Sequence, residues 1–212
     1  FVNETLTRVR DRHPFLQIVL EHITTQEAAS YILRHGGSLL SATITPHHLV
    51  SDRRALFDGG LNPHFFCLPV LKRERDMQSL RELATLGVPY VFAGIDTAPH
   101  PTHAKERACG CAGGCFVAPV ALSMYAQVFE EEKALQHFEA FMSENGARWY
   151  GLPLNEGSIT LQRHEEADAP DFLVSSYAEG TGEEVQKNAV RPFGLHTDPS
   201  KSMKWHWQVL RT

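Results

Sequence analysis

The 212-residue sequence contains no apolar run long enough to cross a bilayer; its longest, such as Gly87 to Ile95, reach about half the required length. It also lacks a basic block. Twenty Lys and Arg against twenty-five Asp and Glu leave a formal charge of −5, with no stretch able to neutralise a row of phosphates, so nucleic acid is not an expected partner. Cysteine is scarce as well. Four residues, three of them crowded at Cys109, Cys111 and Cys115, are too few for a disulfide scaffold and fit a reducing, cytoplasmic setting. Phe1 opens neither a charged n-region nor an apolar h-region, so a membrane is not expected as a partner either.

What is present describes a single domain. With 42% hydrophobic and 21% charged residues, residues 1–212 suffice for one sizeable core, and the polar stretch 165–212 is expected to extend it. Histidine is in excess at twelve, and histidine both ligates metals and titrates near neutrality.

Apolar periodicity orders the chain. Val2, Leu6 and Val9 recur at helical spacing before His13-Pro14, and Leu16 to Leu20 reads as a short strand buried on both faces. Thr24 with Glu27 predicts a capped helix whose apolar face, Ala28, Ala29, Ile32 and Leu33, ends at Gly36-Gly37. The pattern repeats: Leu39 to Ile44 as a strand, Arg73 to Leu86 as a helix, Tyr90 to Ile95 as a strand, and a helix carrying Leu122, Tyr125, Ala126 and Phe129. A further helix, marked by Leu135, Phe138 and Met142, is expected to close at Asn145-Gly146, and Lys204 to Leu210 could be a terminal strand. Strands alternating with helices imply an α/β fold with a parallel sheet, whose binding loops lie beyond the strands' C-terminal ends. Two connections, 46–71 and 99–118, far exceed the usual length of roughly two to six residues, which marks them as functional or disordered.

Glu21-His22 follows the first strand, and Asp96 follows the third. Taken singly, a histidine there is more often a hydrogen-bonded structural residue, and an aspartate more often a helix cap. Together they supply an imidazole and a carboxylate converging from different strands, which a divalent metal requires.

Longer peptides carry a resemblance. Glu21-His22-Ile23-Thr24-Thr25, Ala42 to Leu49, Cys67-Leu68-Pro69-Val70-Leu71-Lys72, Gly94 to His100, Cys109 to Gly113, Ala134 to Glu139 and Tyr150-Gly151-Leu152-Pro153 look like the class II dihydroorotases of the amidohydrolase superfamily. The resemblance implies the C-terminal part, about strands six to eight, of a (β/α)8 TIM-type barrel. It also implies reversible zinc-dependent cyclisation of N-carbamoyl-L-aspartate to L-dihydroorotate in pyrimidine biosynthesis, with two zinc ions bridged by a carbamylated lysine. On that pattern His22 resembles the strand-six ligand of the more exposed zinc. Asp96 resembles the strand-eight aspartate that binds the other zinc and serves as general acid and base. His100 is similar to the residue that binds the substrate carboxylate, and Leu68 and Ala112 are similar to positions whose backbone meets the pyrimidine ring. The resemblance assigns no metal to His47 and His48, which are expected to be structural. Cys109, Cys111 and Cys115 have poor spacing for a zinc knuckle, and the added glycine at Gly113-Gly114 departs from the family's usual Ala-Gly-Cys.

A barrel of this kind typically needs about 250 residues and eight strands. The His-x-His, the bridging lysine, the strand-five histidine and the carboxylate-binding arginine and asparagine of the family are absent here. The chain is therefore expected to be part of a longer enzyme, inactive alone, with the N-terminal half of the barrel as its partner and a homo-oligomer as its assembled form. A hydantoinase-like cyclic amidohydrolase, or an inactive barrel acting as an assembly partner, are the alternatives.

Overall fold

In this computed structural model residues 1–107, 109–168, 189–195 and 202–210 are described. Strands β1 (Ile18–Leu20), β2 (Leu40–Ile44) and β3 (Val91–Ala93) form a parallel sheet in that order. The register pairs Leu20 with Ala42 and Ile44 with Ala93, which brings the strands' C-terminal ends side by side. Helices α1 (Thr7–Arg12), α2 (Gln26–His35), α3 (Pro46–Val50), α4 (Glu74–Thr85), α5 (Thr102–Lys105), α6 (Ala121–Glu131) and α7 (Asn145–Trp149) accompany it. Strand β2 is buried throughout because it has a neighbour on each side. Strand β1 is only half-buried, and Phe15 and Leu16 before it are exposed. The expectation of burial on both faces fails there because, among the described residues, β1 pairs with β2 alone.

The N-cap of α2 is Thr25, one residue later than the sequence pattern suggests. Its extended backbone (φ −124°, ψ 151°) lets Oγ1 accept from the Ala28 amide at 3.1 Å, whereas Thr24 is buried. Asp76 in the first turn of α4 does double duty. One carboxylate oxygen accepts from the Arg73 amide at 3.1 Å and the other from the Gln26 amide at 3.0 Å, joining the starts of α2 and α4 through a side chain that is almost fully buried. Helix α6 presents Met124, Tyr125 and Phe129 inward, and the Tyr125 hydroxyl donates to the Ile44 carbonyl at 2.6 Å at the end of β2. Complete burial pushes that phenol well above the ordinary tyrosine range, so it stays a neutral donor.

The chain does not close its helix at Asn145-Gly146. Asn145 is buried and its Nδ2 donates to the carbonyls of Val88 (3.2 Å) and Val91 (3.0 Å), so tertiary bonds beside β3 carry α7 through these two weak helix formers. An antiparallel pair completes the described structure: β4 (Leu161–Asp168) with β5 (Trp205–Val209), Arg163 opposite Trp207. Glu130 of α6 accepts from Arg163 Nε at 2.6 Å and Trp207 Nε1 at 3.0 Å, fixing both strands to the helix. Strand β5 matches the expected terminal strand. Strand β4 carries Glu165, the start of the polar stretch 165–212, while most of that stretch lies outside the described residues.

The main core lies between the sheet and its helices. A second apolar cluster, Cys67, Leu71, Cys115, Val117, Val120, Met124, Phe193 and Trp205, sits beneath the two long connections. Among the described residues no helix is long and apolar enough to cross a membrane.

Replacing Asp76 by Ala removes the bonds at two helix starts and leaves two amides without a partner. The expected loss is about 1–3 kcal/mol. It should be read as a lower urea midpoint at an unchanged slope.

Candidate metal and substrate site at the strand ends

His22 and Asp96, which the sequence places after β1 and β3, come together. His22 Nδ1 lies 3.7 Å from Asp96 Oδ2, and Glu21 Oε2 lies 3.6 Å from His22 Nε2 on the other side of the ring. Both backbones are left-handed, with φ of 52° at His22 and 43° at Asp96. Such a conformation is uncommon for residues other than glycine and clusters at functional sites.

Thr43 in the central strand explains the convergence. Its Oγ1 accepts from the His22 amide at 2.9 Å and its carbonyl accepts from the Ile23 amide at 3.2 Å. On its other side Gly94 is so close that a Cβ there would stand 2.6 Å from the Thr43 Cβ. A larger residue at position 94 would push the chain, and Asp96 with it, away from β2. The side chains of His22 and Asp96 remain partly open, at 26% and 34% exposed, so a ligand can reach them. An imidazole nitrogen and a carboxylate oxygen from separate strands, both accessible, fit the donor chemistry of zinc.

The other expected residues gather on the two long connections. Leu68 is exposed after β2, and His100 and Ala112 follow β3. The chain running from Asp96 is held to its own return segment by Ala98 N–H to the Cys115 carbonyl (2.9 Å) and a parallel bridge between Thr97 and Cys115. Both members of the added glycine pair are used. A Cβ on Gly113 would sit 3.1 Å from Leu68 Cγ, and one on Gly114 would sit 2.5 Å from Ala98 Cβ and 3.0 Å from His100 Nε2. Leu68, Ala112 and His100 are thus drawn around one stretch of side-chain-free backbone.

Two features escape the sequence reading. Lys105, the last residue of α5, is buried and donates from Nζ to three backbone carbonyls of these connections. A lysine in a polar loop carries no sign of burial. The other is the grouping of His47, His48 and Cys67, all buried, with one potential ligand atom from each within 4.8 Å of the others. The cysteine that meets imidazoles is thus Cys67, while Cys109 is exposed and Cys115, also buried, lies beside the Cys67 thiol. His48 is already engaged on both nitrogens, Nδ1 with Thr45 Oγ1 at 2.5 Å and Nε2 with the Pro69 carbonyl at 2.9 Å, and the Cys67 thiol donates to the same carbonyl at 3.2 Å. This links the end of β2 to the Leu68-Pro69 segment through His48 and Cys67, while His47 Nδ1 is buried without a hydrogen-bond partner. Burial lowers the pKa of His47, which favours its neutral ring.

No family model matches the chain. A dihydroorotase of Klebsiella pneumoniae (strain 342) is 54% identical over 165 residues, 78% of this chain and 47% of the relative. The crystal structure of dihydroorotase from Saccharomyces cerevisiae in complex with 5-fluoroorotic acid superposes with a TM-score of 0.77 at 28% identity, over 97% of this chain and 54% of that one. An L-hydantoinase from Arthrobacter aurescens shares the fold alone, with a TM-score of 0.71 at 17% identity. The chain spans about half the length of the curated relatives it matches. Its fold is that of the C-terminal part of a TIM-type barrel, and its resemblance to dihydroorotases extends over most of its own length.

Gly114→Ala forces a Cβ into Ala98 and the His100 ring. The expected cost is about 1–3 kcal/mol. Amide chemical shifts should change along 96–100 and 110–116 while those of α2 stay in place.

Proposed function

We propose that the chain is the second half of a dihydroorotase, which reversibly converts N-carbamoyl-L-aspartate to L-dihydroorotate in the cytoplasm as a step of pyrimidine synthesis. The observation that carries this reading is the approach of His22 Nδ1 to within 3.7 Å of Asp96 Oδ2 at the ends of β1 and β3, within peptides that resemble those of dihydroorotases. His22 and Asp96 would hold zinc. In the complete enzyme the reading calls for two ions, bridged by a carbamylated lysine that the other half of the barrel contributes. When bound, zinc supplies the Lewis acidity that makes water nucleophilic near neutral pH.

The chain's own residues supply the rest. Asp96 takes the proton of the attacking water and delivers it to the ring nitrogen as the C–N bond opens; ring closure retraces the same path. His22 fixes one side of that carboxylate. His100 donates an N–H to the substrate carboxylate. Backbone groups at Leu68 and Ala112 meet the ring, and the glycines between the two connections allow that approach. The exposed Phe15 and Leu16 beside the half-buried β1 support a further role for the missing half, which would cover this edge of the sheet. The assembled enzyme is proposed to be a homo-oligomer.

The test is turnover of dihydroorotate, hydantoin and allantoin by the complete protein. Dihydroorotate should be preferred by orders of magnitude; a preference for hydantoin would favour the hydantoinase-like alternative, and no turnover of any ring would favour an inactive assembly partner. In the complete enzyme Asp96→Ala should lower kcat by at least about a thousandfold with the fold retained, because a metal ligand and the proton carrier are lost together. His100→Ala should instead raise KM for dihydroorotate with bound zinc unchanged, as measured by metal analysis. The 212 residues alone, zinc-loaded, should show no turnover until the N-terminal half is added.

A further inference from the structure

We propose that Lys105 is a positioning residue: its buried ammonium group clamps the Leu68 connection to the Ala112 connection and so sets the width of the ring-binding slot between them. This rests on the dihydroorotase reading for the roles of Leu68 and Ala112, but the clamp itself is a matter of geometry.

Lys105 is 2% exposed. An ammonium group taken out of water must find partners for three N–H donors or give up its proton. The partners are all backbone carbonyls: Phe66 at 2.8 Å, Ala112 at 2.9 Å and Gly114 at 2.8 Å. Phe66 lies two residues before Leu68, Ala112 is itself one of the assigned ring contacts, and Gly114 is the residue over which His100 packs. One side chain therefore bonds the backbone on both flanks of the slot. Two amides reinforce it, Gly114 N–H to the same Phe66 carbonyl (3.0 Å) and Ala112 N–H to the Ala104 carbonyl (3.0 Å).

The lysine's own footing is fixed from the far side. Thr102 donates to the Ala189 carbonyl from its amide at 3.0 Å and its hydroxyl at 2.9 Å. Glu106 Oε1 is paired with His64 Nε2 at 2.9 Å and Arg191 at 3.3 Å. The stem of Lys105 thus leaves from a braced turn, and its head cannot follow either connection if that connection shifts. Hydrogen bonds to a charged donor are stronger than those between neutral groups, and a group bonded to two loops resists their separation in a way that packing alone does not.

The test compares Lys105→Met with the wild type in the complete enzyme, by two readouts. Amide hydrogen exchange at Ala112 and Gly114 should accelerate at least tenfold in the variant while the amides of Ala42 and Gly94 in the sheet are unchanged. KM for dihydroorotate should rise at least tenfold, with kcat within about threefold of the wild type and zinc content equal. Unchanged exchange at those two amides would overturn the clamp. Faster exchange with an unchanged KM, or a lowered melting temperature with an unchanged KM, would reduce Lys105 to a stabilising residue and overturn the positioning role. Should Lys105→Met fail to fold, Lys105→Gln keeps two N–H donors on a side chain one bond shorter and should give an intermediate KM; a wild-type KM in that variant would sink the proposal. If the wild type does not turn over dihydroorotate, the functional reading fails while the exchange experiment still decides the clamp.

Discussion

The arrangement of the site depends on the closeness of three parallel strands around Thr43. Its hydroxyl and carbonyl take the two amides that turn the chain after β1, and its side chain fills the space beside Gly94 as the chain leaves β3. A parallel sheet must return each crossover to the same end, so polar residues after successive strands meet there without any sequence nearness. His22 and Asp96 lie far apart in the chain and are brought to 3.7 Å by that rule and by one threonine. The left-handed backbone at both is the visible cost, sustained because the surrounding hydrogen bonds leave no alternative.

A second level of order is built on the first. The connections after β2 and β3 carry no long helix or strand of their own over Leu68, His100 and Ala112, and their shape comes from side chains that bond to backbone. Lys105 does this with charge, and His48 and Cys67 do it at the Pro69 carbonyl. The apolar cluster beneath, reaching to Phe193 and Trp205, gives these polar ties a dry base. Low dielectric there makes each satisfied bond stronger and each broken one more costly.

The strands and main helices were legible because burial on a repeating pattern is a local property of sequence. The pairing of His22 with Asp96 was legible because strand ends of one sheet share an edge. Where the reading departed from the structure, a tertiary contact had overruled a local signal. Asn145-Gly146 has the composition of a helix stop, yet two carbonyls near β3 draw the asparagine inward and Gly146 approaches Phe92, so the helix continues. Thr24 and Thr25 are equally good caps by type, and the backbone angle at Thr25 decides between them. Lys105 was silent for a deeper reason. Its acceptors are main-chain carbonyls, which every residue possesses, so no side-chain pattern can announce them.

Charge sets the final constraint on the proposed chemistry. Glu21 and Asp96 flank the His22 ring within 4 Å, in a protein whose formal charge is −5. N-carbamoyl-L-aspartate carries two carboxylates, and like charges brought together in a partly desolvated cleft repel strongly. Lys105, a buried cation among the described residues, is already engaged, since all three of its protons point at carbonyls of the loops. On the dihydroorotase reading, cations held beside Glu21 and Asp96 would offset that repulsion. The acidic pair beside His22 is arranged to attract such cations, and His100 alone is not enough to replace them. On the dihydroorotase reading bound metal ions would do two things at once: supply Lewis acidity to a water, and offset the negative charge of Glu21 and Asp96 that would otherwise repel an anionic substrate.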